Sequence, residues 1–336
     1  MNRRWAIAAT ATVLVLVSTL NAQGVRKQTR ATQVKSAKKL TKAKDAQQLI
    51  TEAYTISKTA KSIGSYTQVI DLCQQLLRPT TKKATKADRA YAKQLLAWAL
   101  NRRGEQRAEK AQKLSRTNKF AADKMDELAL GDFSAAVKAD PTRWKALHNR
   151  GVSLALIGKF SASIADFSRV LKIKPKYANA WFNRGEIRYE IGQFEAAIAD
   201  YDRAIKLKPK DVGAVLSRGH AFFKIRLYEK ALADYDKAVH LAPGNSSAVL
   251  NRADAYHKLQ IWEGAAKDFR RAIFLNDRSP RAYQNSAWLM ATCPDARFRN
   301  STLAIKAARR AVALLGDKPT YEALDALAAA YASHSD

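Results

Sequence analysis

Residues 178–211 contain Ala178-Asn-Ala-Trp-Phe-Asn-Arg-Gly185, then Gly192-Gln-Phe194, Ala197, Tyr201, Ala204 and Pro209. The stretch recurs: Gly151, Gly185, Gly219, Ala253 and Ala287 stand 34 positions apart. Aromatic residues return at Phe160, Phe194, Tyr228 and Trp262, and again at Phe167, Tyr201, Tyr235 and Phe269. Small residues return at Ala197, Ala231 and Ala265 and at Ala204, Ala238 and Ala272, and Pro175, Pro209 and Pro243 close three units. Trp181, Gly185 and Tyr189 fall on one face of a helix, and Ala197, Tyr201 and Ala204 on one face of a second. Gly185 and Ala197 let the two backbones approach while Tyr201 fills the space beside them. Gly192 can take the positive φ that ends the first helix, and Pro209 stops the second. Such a pair cannot bury both its faces alone, so neighbours must stack and stability becomes a sum over adjacent units.

On these residues and this period the chain resembles the tetratricopeptide (TPR) family. The resemblance covers most of the chain from Leu49 onward. It implies an all-α fold, a right-handed α-solenoid of about seven stacked helix-turn-helix repeats.

Taken in order, Met1–Gly24 reads as an export signal: Arg3 and Arg4, an uncharged apolar run over Ala6–Leu20, and small residues before a cut after Ala22 or Gly24. The run is shorter than the ~20 residues of a spanning helix, which favours a cleaved signal over an anchor. Either reading places the repeats outside the cytoplasm, in the periplasm or cell envelope. Residues 25–44 are Lys-, Thr- and Ala-rich without an acid until Asp45, and read as a basic disordered linker. Residues 45–143 carry degenerate or interrupted repeat-like helices. Within them a first helix opens at Asp88 and breaks at Arg103-Gly104, and a charged insertion over Glu105–Lys124 forms a longer helix or a loop. Four regular repeats occupy 144–279. Residues 280–336 hold a repeat interrupted at Cys293–Ser301 and a terminal helix over Thr320–Ala332 that either caps the array or makes a contact.

The 336 residues carry 59 Lys and Arg against 30 Asp and Glu, a net charge of +29 that favours anionic partners. No His pair has metal-binding spacing, and the chain lacks a P-loop, a dinucleotide fingerprint and a nucleophile elbow, so we expect no enzyme, no cofactor and no metal. Cys73 takes a core position and Cys293 opens a loop where it can be exposed; the array would hold them too far apart for a disulfide.

Two polar series follow the repeat. Arg150, Arg184, Arg218 and Arg252 precede the small residue of the first helix, where TPR units usually carry leucine. Asp166, Asp200, Asp234 and Asp268 stand beside the aromatic of the second, with Asp132 one unit earlier. An unpaired charge at these positions costs several kcal/mol, so the spacing predicts structural Arg–Asp ion pairs, within a repeat or between neighbours. The other series is Asn149, Asn183, Asn251 and Asn285, with Ser217 at one rung. By resemblance this position lines the concave surface, where an asparagine ladder can grip the backbone of an extended peptide. The same amides could instead bond a neighbouring helix. Flanking positions are His148, Phe182, Tyr189, His220, Phe223, His257 and Trp288, which suit apolar or acidic peptide side chains. The lysines on this face, Lys145, Lys224 and Lys258, are scattered rather than striped, which argues against nucleic acid. The reading that results is a non-catalytic scaffold binding an extended protein segment in its groove. The alternative is a protein that binds polyanions or the anionic envelope surface through its charge.

Overall fold

The computed structural model describes residues 44–335; the segments read as export signal and basic linker, apart from Lys44, lie outside the described residues. What is described is helix and turn. Contacts divide the chain into two units, meeting between Ile157 and Gly158.

In the first unit α1 (Ala46–Thr59) packs on α2 (Ile63–Leu77), which packs on α3 (Lys86–Leu114); α4 (Lys119–Ala139) lies along α3, and α5 (Trp144–Leu156) rests on both. Each start has a local cause. Asp45, Ser62 and Thr85 form reciprocal capping boxes at the heads of α1, α2 and α3. Here the structure corrects the expected break at Arg103-Gly104: α3 runs through it for ten more residues, to Leu114. Gly104 serves close approach instead, because a Cβ there would stand 2.5 Å from the Phe133 ring on α4. The charged insertion is therefore a lengthened helical hairpin, knitted along its outside by Lys113–Glu109 and Lys124–Glu127.

The second unit runs α6 (Phe160–Ile173), α7 (Ala178–Glu190), α8 (Phe194–Leu207), α9 (Val212–Lys224), α10 (Tyr228–Leu241), α11 (Ser246–Lys258), α12 (Trp262–Leu275), α13 (Pro280–Thr292), α14 (Ser301–Leu315) and α15 (Tyr321–Ser335). Each helix packs on the next, and odd-numbered helices also touch one another from α7 to α9, α11 to α13 and α13 to α15. We call the odd-numbered helices first helices and the even-numbered ones second helices. The core is a file of alanines and one aromatic per repeat: Ala197, Tyr201 and Ala204, then Ala231, Tyr235 and Ala238, then Ala265, Phe269 and Ala272, all at most 2% exposed. Close approach again needs glycine, since a Cβ at Gly185 or Gly219 would lie 2.8 or 2.7 Å from the ring of Tyr201 or Tyr235.

The tight turn inside each repeat has a left-handed residue at a fixed place: Gly158, Gly192, Arg226 and Gln260, with φ of 75°, 79°, 62° and 60°. In three of them the next N–H reaches back across the helix end, Gln193 to Arg188, Leu227 to Phe222 and Ile261 to Tyr256, at 2.8–2.9 Å. These turns leave no room for a side-chain cap on the following helix, and α8, α10 and α12 have none. Three of the looser turns between repeats do carry one, at Asp211, Asn245 and Ser279, while Tyr177 before α7 gives none.

After α13 the insertion folds as a 3-10 turn, Ala296–Phe298, lying against α12. Cys293, expected to be free to face solvent at its loop start, is the C-cap of α13 and only 2% exposed. Its backbone N–H still bonds Leu289, so the residue remains tied into the helix end. Helix α15 packs on α13 and α14 as a further first helix would, leaving Tyr321, Leu324 and Tyr331 exposed. Among the described residues no helix is long and apolar enough to cross a membrane.

Candidate functional site

The first helices of the second unit bring the predicted polar series together. Arg184 grips Asp200 with two parallel bonds, Nε to Oδ2 at 2.9 Å and Nη2 to Oδ1 at 2.7 Å, and sends Nη1 to Ser168 Oγ at 2.8 Å. Arg218 repeats this with Asp234 at 2.8 and 2.5 Å and reaches Asp202 at 2.6 Å. Arg252 does so with Asp268 at 2.6 and 3.0 Å and reaches Asp236 at 2.9 Å. Sequence left the pairing scheme open; the geometry pairs each of these arginines with the aspartate of its own repeat, and its reach to the preceding repeat goes to Ser168, Asp202 and Asp236 instead of that repeat's ladder aspartate. The bidentate fork closes a repeat on itself, and the third nitrogen ties it to the second helix before. Hydrogen bonds to Asp234 and Asp268 hold the Arg218 and Arg252 guanidinium groups well above their ordinary range. Arg150 lies on α5 and the buried Asp166 on α6.

The asparagine series is largely committed to neighbouring helices. Asn251 Nδ2 meets His220 Nε2 at 2.7 Å while its Oδ1 accepts from Arg281 at 2.9 Å. Asn285 Nδ2 donates to Asp254 at 2.7 Å. Ser217, the odd rung, stands beside Glu186 and helps hold its carboxyl down against burial. The two asparagine bonds share one rule: each links a first helix to the residue 31 positions earlier, on the first helix before it, and Ser217 stands 31 positions after Glu186. In the first unit Asn149 donates to Asn101 and Glu105 on α3 at 3.0 and 3.1 Å. Asn183 differs. It is 2% exposed and its Nδ2 has no hydrogen-bond partner.

The flanking residues divide by position. Tyr189, Phe223 and His257 each set a ring edge against the first aromatic of their own second helix, Phe194, Tyr228 and Trp262, with centroids 5.1–5.6 Å apart. Phe182 and His220 lean on the buried Tyr201 and Tyr235 at 6.0 and 5.7 Å. Trp288 is 40% exposed, in the register that Glu186, His220 and Asp254 occupy one repeat apart. Burial pushes His148 and His220 down to about 4, for His220 with help from Arg281, so both imidazoles are neutral at ordinary pH. Burial and Lys258 lower His257 as well. Glu186 is raised by burial although Tyr201 OH donates to it at 2.7 Å.

Family models described as TPR repeat match residues 153–192 and 185–225, and one described as tetratricopeptide repeat matches 216–283. This is a tetratricopeptide-repeat protein. No curated protein sequence matches it. Among solved structures, PilF of Pseudomonas aeruginosa is similar at 15% identity over 67% of this chain and 96% of that one, with a TM-score of 0.54. A structure of the anaphase-promoting complex hetero-tetramer Cut9–Hcn1 aligns at 15% identity over 84% of this chain and 55% of that one, with a TM-score of 0.50. YrrB, described as a TPR protein with an unusual peptide-binding site, aligns at 19% identity over 52% and 88%, with a TM-score of 0.44. The likenesses to PilF and Cut9–Hcn1 concern the fold alone. TPR repeats are interaction modules, and this TPR protein reads as a protein–protein interaction scaffold.

Several residues of the TPR array had a readable signal that sequence reasoning passed over. Arg103 grips Asp132 at 3.0 and 2.7 Å as Arg184 grips Asp200, and Arg107 joins at 2.7 Å as Arg188 does at 2.9 Å. The pairs Arg103-Gly104 and Arg184-Gly185 announce it. Asp202 and Asp236 recur at the repeat period. Arg281 carries no such signal, because the residue one period earlier is Ser247. Among the described residues no cluster of His, Cys, Asp and Glu could hold a metal ion.

Proposed function

We propose that this TPR protein is a non-catalytic scaffold whose first-helix face, from α7 to α13, takes an extended segment of another protein. The observation that carries this is the set of partly exposed first-helix side chains: Tyr189, Phe223 and His257 at one repeat position, with Phe182 and Trp288 at two others. The neutral imidazole of His257 makes that row more apolar than the sequence suggests, and Arg281, 54% exposed and paired with Asp254, borders it. An amide whose Oδ1 and Nδ2 are both taken cannot also grip a peptide backbone. Asn251 therefore serves as a strut between helices, and Asn183 is the asparagine whose Nδ2 is left for a ligand that loosens the face. We place the protein outside the cytoplasm on the strength of Met1–Gly24.

The test is partner capture by the full chain against Phe182→Ala plus Trp288→Ala. Trp288 stands at the surface and Phe182 is half-buried against Tyr201, so helicity should hold and the melting temperature should fall modestly, while capture falls by about tenfold or more, the usual cost of truncating aromatic anchors. Equal recovery of the same partners by both chains would sink the reading.

A further inference from the structure

The outward faces of the second helices change character along the second unit. On α8 the exposed stripe is Glu195, Ala199, Asp202 and Lys206; on α10 it is Glu229, Ala233, Asp236 and His240. One period on, α12 presents Glu263, Lys267, Arg270 and Phe274, all exposed. On α14, with the insertion counted, Lys306 and Arg309 occupy the places of Lys267 and Arg270, and Arg310 follows Arg271. The aspartate of the early repeats has become arginine twice, and the alanine has become lysine twice.

Part of this has a structural cause. Asp202 and Asp236 are needed because Arg218 and Arg252 of the following helix reach them. The arginine series ends at Ser286, so α12 has no such guanidinium to answer. That frees the position, and on α14 Arg309 is used to bond the Tyr331 hydroxyl of α15, but neither accounts for Lys267 and Arg270 on α12 together with Lys306 and Arg310 on α14. The acids nearby offset only part of it: Asp268 is buried on Arg252, Asp295 is bound by Arg297, and Glu263 and Asp277 stand exposed at the two ends of α12. The 3-10 turn against α12 adds Arg299, exposed. One turn beyond Arg270 on the same stripe stands Phe274, 88% exposed, the most exposed large apolar side chain among the described residues.

We propose that the outer face of α12 and α14 is a docking surface for an anionic lipid bilayer, with Phe274 entering the headgroup–acyl boundary and Lys267, Arg270, Lys306 and Arg310 on the phosphates. Charge complementarity selects an anionic partner, and the aromatic selects a lipid one. A single ring beside long, snorkelling cations suits an interface with an apolar layer beneath a charged one. A nucleic acid strand would call for several aromatic platforms in succession, and this stripe has one. The surface lies on second helices and the aromatic row on first helices, so a membrane and a protein segment would use different residues.

The experiment reads position 274 directly in the full chain. Phe274→Cys carries an environment-sensitive fluorophore; Cys73 and Cys293 are each 2% exposed and leave the introduced thiol as the reactive one. Vesicles containing phosphatidylglycerol should shift the emission to the blue, pure phosphatidylcholine vesicles should not, and moderate salt should reverse the shift. Adding Lys267→Glu and Arg270→Glu to the labelled chain should raise the lipid concentration for half-shift by about 25-fold or more, since each basic residue near such a surface contributes about fivefold. A label at Ala199→Cys on α8 should stay unshifted. Sedimentation with the vesicles and no shift at position 274 would show binding by another part of the chain and overturn the proposal. An equal shift at Ala199→Cys, or a shift with single-stranded DNA in place of vesicles, overturns it as well.

Discussion

Asp200 is 1% exposed and accepts from three guanidinium nitrogens, two of Arg184 and one of Arg188. Asp234, one repeat later, accepts from Arg218 alone, because Phe222 stands where Arg188 stood and packs its ring 5.8 Å from the Arg218 guanidinium. The two pairs look alike in sequence and differ in what remains when the arginine is removed. Arg184→Ala leaves Asp200 with Arg188, a bonded carboxylate still neutralised, and should cost about 1–3 kcal/mol, in the range of lost charged hydrogen bonds. Arg218→Ala leaves Asp234 buried without a cation and frees Asp202 beside it, and should cost about 3–5 kcal/mol. Urea titrations of the two variants should therefore rank Arg218→Ala as the more damaging; the reverse order would mean that Arg188 carries little of the Asp200 charge. The Arg and Asp columns were legible because a charge beside a core aromatic must be answered. The pairing was not, because one arginine has nitrogens enough to serve two repeats at once. Arg281 escaped for a different reason. It sits off the repeat, and only the fold brings it to Asn251.

At the scale of the element, the turn inside each repeat sets how the two helices meet. Its left-handed residue is glycine at Gly158 and Gly192, but Arg226 and Gln260 hold the same conformation with φ near 60°. A side chain there meets the following carbonyl, at a cost of roughly 1–2 kcal/mol that glycine avoids, offset in part by the entropy glycine loses on folding. Arg226→Gly should then stabilise the chain by about 0.5–1 kcal/mol and raise the melting temperature, although it deletes an exposed side chain that gives no other reason to expect a gain. A lower melting temperature would show that Arg226 makes up its strain through contacts of its own. Sequence marked these turns well wherever glycine stood in them. It misplaced the turn after α3 by trusting the same signal: Gly104 is mid-helix because the Phe133 ring needs its space, and a glycine that admits a neighbour reads like a glycine that ends a helix. Length told the two apart only once α3 was seen to continue alongside α4.

For the whole molecule the dominant quantity is the net charge of +29. Asp132, Asp166, Asp200, Asp234 and Asp268 are all at most 4% exposed, and the guanidinium partners Arg103, Arg184, Arg218 and Arg252 are withdrawn with them, at 12–23%. The ladder therefore takes both signs out of solvent and leaves the positive excess on the surface. Like charges spread over a surface repel across distances of a Debye length, about 30 Å at 0.01 M salt and 8 Å at 0.15 M, so added salt removes most of that repulsion. The ladder answers differently. Its charges sit 2.5–3.0 Å apart and mostly out of water, where ions screen them little. Exposed pairs such as Lys113–Glu109 contribute little at any salt. Screening should therefore relieve repulsion while sparing the bonds that hold repeats together, and the melting temperature should rise between 0.01 and 0.15 M sodium chloride and then level off. A melting temperature that falls over that range would mean the surface pairs outweigh the repulsion, and the ladder would then be less sheltered than its burial implies. Reversing Lys267 and Arg270 lowers the net charge by four, and should reduce the size of the rise by relieving part of the repulsion in advance.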